Sequence, residues 1–89
     1  MQRRNVLETL TAFIEQEVLQ SEHAGVEPTT PLLEWGILNS LSTAQLMAFI
    51  HDRYGLFVPA DRIVGANFKN LDAVTDLVLS LHEDEQARI

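Results

Sequence analysis

The sequence predicts an all-α domain, on three observations. Three separate stretches carry apolar residues at three- and four-residue steps, none alternates over the length of a strand, and each is bounded by capping or breaking residues. Val6, Leu7, Leu10, Phe13, Ile14 and Val18 form the first stripe, giving a helix from about Arg4 to about Gln20. From Ser21 to Asn39 the periodicity stops, and Gly25, Pro28, Pro31 and Gly36 mark a long ordered loop, a length that signals function. Its Leu32, Leu33, Trp35, Ile37 and Leu38 are too apolar for a solvated linker and are expected to fold back over the helices, with Trp35 read as packing.

A second helix follows from Ser40 to Tyr54, with Asn39 and Ser40 offering side-chain oxygens to the free N–H groups of its first turn and Gly55 ending it. Its inward stripe is Leu46, Phe49, Ile50 and Tyr54. Pro59 opens a short helix over Ala60 to Val64, because proline is tolerated at a helix start. Asn70 caps a last helix with Leu71, Val74, Leu77, Val78 and Leu81 inward and Asp72 near its positive end, and Glu83 to Ile89 reads as a fraying polar tail. The nearest strand candidate, Leu56-Phe57-Val58, stands alone, and one strand cannot satisfy its own backbone. The expectation is a four-helix bundle of three main helices and a short third one, in a single domain over 1–89 with its core at about 4–82.

Composition narrows the function. A chain of 89 residues buries only roughly 60% of its unfolded surface, so a deep enzyme cleft is not expected. With 46% apolar and 21% charged residues it should fold alone, and with no cysteine its stability comes from packing, which suits a reducing interior. Met1-Gln2-Arg3-Arg4 has the charge of a signal-peptide start, but Glu8, Thr9, Thr11, Glu15 and Gln16 break the segment behind it. No apolar run approaches ~20 residues, so no membrane span is expected and the location reads as cytoplasmic. A net charge of −7 opposes nucleic-acid binding. It suits basic patches on partner enzymes, or serves solubility alone.

Catalytic constellations are missing from this pattern. His23, His51 and His82 lack metal-ligand spacing and read as solvated, and no glycine-rich phosphate loop is present. A hydrolase built on Ser40 would need a base, and His51 lies about 16 Å away along the helix. The segment that carries chemistry is Gly36-Ile37-Leu38-Asn39-Ser40-Leu41, which sets a serine where an apolar loop becomes a helix. Free N–H groups and a positive helix end lie at that place, where an isolated serine would be a simple N-cap.

That segment is similar to the Asp-Ser-Leu motif of acyl and peptidyl carrier proteins. The register from Leu33 through Leu46 to Tyr54-Gly55, the long first loop and the Val58-Pro59 step resemble the same family from Val6 to Leu81. The resemblance implies a bundle of the acyl-carrier type. It also implies that a phosphopantetheinyl transferase, using Mg²⁺ and coenzyme A, attaches 4′-phosphopantetheine to Ser40, with Asn39 as cap and transferase contact. The chain is then a substrate and shuttle, not an enzyme. It would be loaded by an acyl- or aminoacyl-specific ligase or acyltransferase, unload to a downstream synthase or transferase, and act as a monomer.

A second apolar face of the Ser40 helix, Leu41, Ala44 and Ala48 flanked by Met47, begins beside the serine and suits a docking enzyme. Met47 could instead pack under the first loop. Ile63 and Val64 are candidates for the same face or for the wall of a cargo groove, with one of them expected in the core. The chain departs from the family pattern in two places. Asn39 replaces the usual aspartate, and the helix is poor in acid, with Asp52 set against Arg53. The first weakens a contact with the transferase but should leave modification intact, and the second argues against primary fatty-acid synthesis. Gly36 four residues before Ser40 looks more like discrete carriers that load amino acids, including D-alanyl carriers, or unusual extender units. The expected setting is polyketide, nonribosomal-peptide or antibiotic biosynthesis. The alternatives are a D-alanyl-type or fatty-acid carrier, or an unmodified helical adaptor.

Overall fold

In the computed structural model, which describes residues 1–21 and 24–87, the chain is all-helical, and no strand occurs among the described residues. Helix α1 (Arg3–Phe13) runs into a π-helical turn (Ile14–Val18), and α2 spans Ser40–Tyr54. A 3-10 turn (Ala60–Arg62) and the short α3 (Gly65–Phe68) lead into α4 (Leu71–Ala87). The predicted first helix thus changes pitch in its last turns. There the Leu19 N–H donates to the Ile14 carbonyl at 2.9 Å and Gln20 turns left-handed at φ 54°. The wide turn lets Glu15 leave the helix pattern, its carbonyl accepting from Ser21 N–H at 2.8 Å and its carboxylate from Val26 N–H at 3.2 Å. The histidine reading at His23 lies outside the described residues.

The core follows the predicted stripes. Val6, Leu10, Phe13 and Ile14 of the first helix, Leu46 and Ile50 of α2, and Leu71, Val74, Leu77, Val78 and Leu81 of α4 are all buried. Helices α1 and α4 pack together, and α3 also packs on α4. Phe13 and Phe49 stack at a ring-centroid distance of 4.5 Å, fastening α2 to α1. Arg3 bridges to Asp72 at 3.1 Å and Asp76 at 3.2 Å, and the Asp72 hydrogen bond is the main reason its guanidinium is held above its ordinary pKa. These groups are solvent-exposed, so the clasp adds little stability and mainly orients the helix ends.

Three expectations are corrected. Of the tail expected from Glu83 to Ile89, residues 83–87 are helix, with Leu81 buried just ahead of them and Arg62 reaching Asp84 at 3.0 Å, and residues 88–89 lie outside the described residues. The short helix expected over Ala60 to Val64 closes at Arg62, since Ile63 (φ −86°, ψ 74°) and Val64 (φ −129°, ψ 152°) depart from helical backbone. A separate turn, α3, then forms, anchored by buried Phe68 and by Asn67 Nδ2 donating to the Arg62 carbonyl at 2.8 Å. Trp35, read as packing, is 67% exposed, while its neighbours Leu32 and Leu38 are buried.

Thr75 sits fully buried on α4, and its hydroxyl has no partner among the described residues. An unmet buried hydroxyl costs about 1–3 kcal/mol, and valine has the same shape without it. Thr75→Val is therefore expected to raise the melting temperature by about 4–8 °C for each kcal/mol recovered, read by thermal circular dichroism. No rise would mean that water reaches the hydroxyl.

Candidate functional site

The loop ahead of α2 is held by backbone hydrogen bonds to distant parts of the chain. The Leu32 N–H donates to the Lys69 carbonyl at 2.8 Å, the Leu38 N–H to the Leu32 carbonyl at 3.0 Å, and the Asp72 N–H to the Pro28 carbonyl at 3.1 Å. Gly36 turns with φ +73°, a left-handed conformation that glycine takes without cost. The loop is therefore fixed on the α3–α4 junction and delivers Asn39 to the start of α2 in extended conformation.

At that start the chain builds a reciprocal cap. Asn39 Oδ1 accepts from the Ser42 N–H at 3.0 Å, and Ser42 Oγ accepts from the Asn39 N–H at 2.8 Å. Ser42 Oγ also donates to the Ile37 carbonyl at 2.9 Å, so one buried hydroxyl locks loop to helix. Ser42 was not singled out by the sequence reading. Its signal was the polar residue three places after an N-cap candidate. Asn39→Ala is expected to cost about 0.5–2 kcal/mol, visible as a lower denaturant midpoint, whereas Asn39→Asp keeps the acceptor and should hold stability.

Because Asn39 and Ser42 do the capping, Ser40 is released from it. Ser40 is the first residue of a 15-residue helix, and it is exposed. Its own N–H and that of Leu41 stand ahead of any intrahelical acceptor, and the dipole of α2 is positive there. The place therefore fits a phosphodiester on Ser40 Oγ: an accessible hydroxyl, unpaired donors beside it and no acidic side chain between Trp35 and Ile50.

The other residues read as a partner face divide. Leu41 is 69% exposed, Ala44 and Ala48 are exposed, and Met47 is half-buried against the core. Ile63 and Val64 are 43% and 48% exposed, so neither is core, contrary to expectation. They escape burial because the chain is extended there, between two short helical turns. A cleft of ≈ 430 Å³ lies between α2 and the segment after it, lined by Met47, Ala48, His51, Phe57, Val58 and Ile63 among others. Phe57 projects at 78% exposure between buried Leu56 and Val58. His51 is exposed, His82 is half-buried where the sequence suggested a solvated side chain, and no three His, Cys, Asp or Glu converge as a metal site among the described residues.

No family model matches the chain, and no curated protein matches it. It is similar to a chain of known structure described as "Crystal structure of FAD-dependent dehydrogenase". The identity is 36%, over 78% of this chain and 97% of that one, with a TM-score of 0.73. Since 78% of these 89 residues amount to 97% of that chain, that chain is itself about 70 residues long. With more than a third of the residues identical over nearly its whole length, the present chain belongs to the same family as that small helical chain.

Proposed function

We propose that this chain is a discrete carrier that receives 4′-phosphopantetheine on Ser40 and presents thioester-bound acyl or aminoacyl intermediates to partner enzymes. The observation that carries the reading is the exposed Ser40 hydroxyl at the first position of α2, freed from capping by the Asn39–Ser42 pair. In the modification, the Ser40 Oγ–phosphorus bond forms as the pyrophosphate of coenzyme A breaks. The adenosine bisphosphate half departs, and the hydroxyl proton passes to the transferase. Once bound, the group supplies the thiol that a chain without cysteine lacks.

The chain's own residues then position the attachment point. Asn39 and Ser42 hold the helix start, the Ser40 and Leu41 N–H groups stay free of intrahelical acceptors beside the attachment point, and the 32–38 loop keeps the serine at the rim. The chain acts as substrate and shuttle in the cytoplasm, as a monomer. The acid-poor α2 and the Gly36-to-Ser40 spacing favour specialised metabolism over primary fatty-acid synthesis.

One partner class has support of its own. A chain of about 70 residues is too small to enclose both FAD and a substrate cleft, given how little a domain of that size buries. The 36% identical relative therefore supports a flavin-dependent dehydrogenase as a partner that acts on cargo held by this carrier.

The test is incubation with a broad-specificity phosphopantetheinyl transferase, Mg²⁺ and coenzyme A, followed by intact mass. A gain of one cofactor mass is expected. An unchanged mass would end the carrier reading in favour of a helical adaptor.

A further inference from the structure

From Trp35 through Ile50 not one side chain is charged, in a chain of thirteen acidic and six basic residues. The segment after α2 continues this neutrality. Leu56 to Ala60 and Ile63 to Phe68 carry no charge, and the one cation between them, Arg62, is held by Asp84 at 3.0 Å and Ser80 at 3.1 Å. The acid lies elsewhere, chiefly on the first helix and on α4, with Glu34 and Asp61 adjoining the neutral stretches in sequence.

The same neutral stretches hold most of the large apolar side chains left in solvent: Trp35, Leu41, Phe57, Ile63 and Val64 are 43% to 78% exposed, and Leu33, just before Glu34, is 39% exposed. Leu33 lies against Gly65, where an added Cβ would be 3.8 Å from Leu33 Cδ1, so the loop before Ser40 and the segment after Pro59 adjoin. None of these side chains belongs to the buried core.

We infer that the enzymes reading Ser40 dock through an apolar, uncharged concave surface that takes Trp35 and Leu41 as anchors, and not through a basic patch matched to the chain's net charge. The inference rests on the carrier reading. Its occupant follows from charge complementarity: a basic groove would find no acidic side chain from Trp35 through Ile50 to pair with, whereas a neutral apolar groove loses nothing by covering this face. Tryptophan at an interface centre is the residue type most often carrying binding energy.

The probe is a broad-specificity phosphopantetheinyl transferase, whose kcat/KM for the full chain is measured between about 0.05 and 1 M NaCl, a range that shortens the screening length severalfold. The expected result is a change of less than about twofold across that range, set against a loss of about tenfold for Trp35→Ala and about thirtyfold for Leu41→Glu. Glu17→Lys, on the π turn, should leave the rate unchanged, and circular dichroism should show all three variants folded. A fall of tenfold or more with salt, or unaffected rates in the Trp35 and Leu41 variants, overturns the inference while leaving the carrier reading standing. A concentration-dependent dimer dispersed by Trp35→Ala also overturns it, by assigning the face to a second copy of the chain. A wild-type chain that gains no mass removes both.

Discussion

Ser40→Ala is expected to abolish phosphopantetheinylation outright, with intact mass unchanged after exhaustive incubation while the wild type gains one cofactor. The loss should be complete because the reaction needs an oxygen at that Cβ, and the buried neighbour Ser42 cannot replace it. Ser42, two residues on, is 5% exposed, and its Oγ is engaged with Asn39 and the Ile37 carbonyl. The fold should be unaffected, since Ser40 makes no side-chain bond in the cap and alanine favours helix. Ser42→Ala makes the opposite expectation. The modification persists, but the Asn39 N–H loses its acceptor and the Ile37 carbonyl its donor, a cost of about 1–3 kcal/mol. If Ser42→Ala blocked the modification and Ser40→Ala did not, the attachment point would be misassigned.

Leu46→Ala should produce the largest loss of stability among single changes on α2. Leu46 is fully buried, in the core that joins α2 to the first helix and α4. Truncating a leucine in such a place removes its transfer free energy and leaves a cavity, together about 2–5 kcal/mol. In a domain of this size a loss of 3 kcal/mol lowers the melting temperature by roughly 12–24 °C, and total stability is itself only about 5–15 kcal/mol. Thermal denaturation by circular dichroism measures it. Ala48→Gly or Leu41→Ala, on the exposed side of the same helix, should move the midpoint far less. Equal effects on both sides would mean that α2 packs by a different face.

Much of the fold was legible because helical burial is periodic. Leu10, Leu46, Ile50, Val74 and Val78 fall on stripes that any packed helix must turn inward, and all five are buried. Asn70 announced its cap, and Ala73 N–H donates to its Oδ1 at 2.8 Å. Gly55 announced the stop of α2, at φ +68°. The π turn after Phe13 was not legible, since Ile14 and Val18 suit an α-helix equally well. Neither was α3, because a four-residue turn offers too few positions for any period to appear. The cap partner Ser42 was hidden by its neighbour Ser40: two serines follow Asn39 closely, and only geometry says which hydroxyl faces the loop and which faces solvent.

The sequence by itself determined the helical class, the inward stripes, the long first loop and the serine at its end, because each depends on residues near one another along the chain. Tertiary structure alone decided which loop side chains are covered. Leu32 and Leu38 are buried but Trp35 is not, and Leu56 and Val58 are buried but Phe57 is not. Those outcomes depend on bonds between distant segments, from Leu32 to Lys69 and from Arg62 to Asp84, and irregular backbone carries no repeat from which such partners could be read.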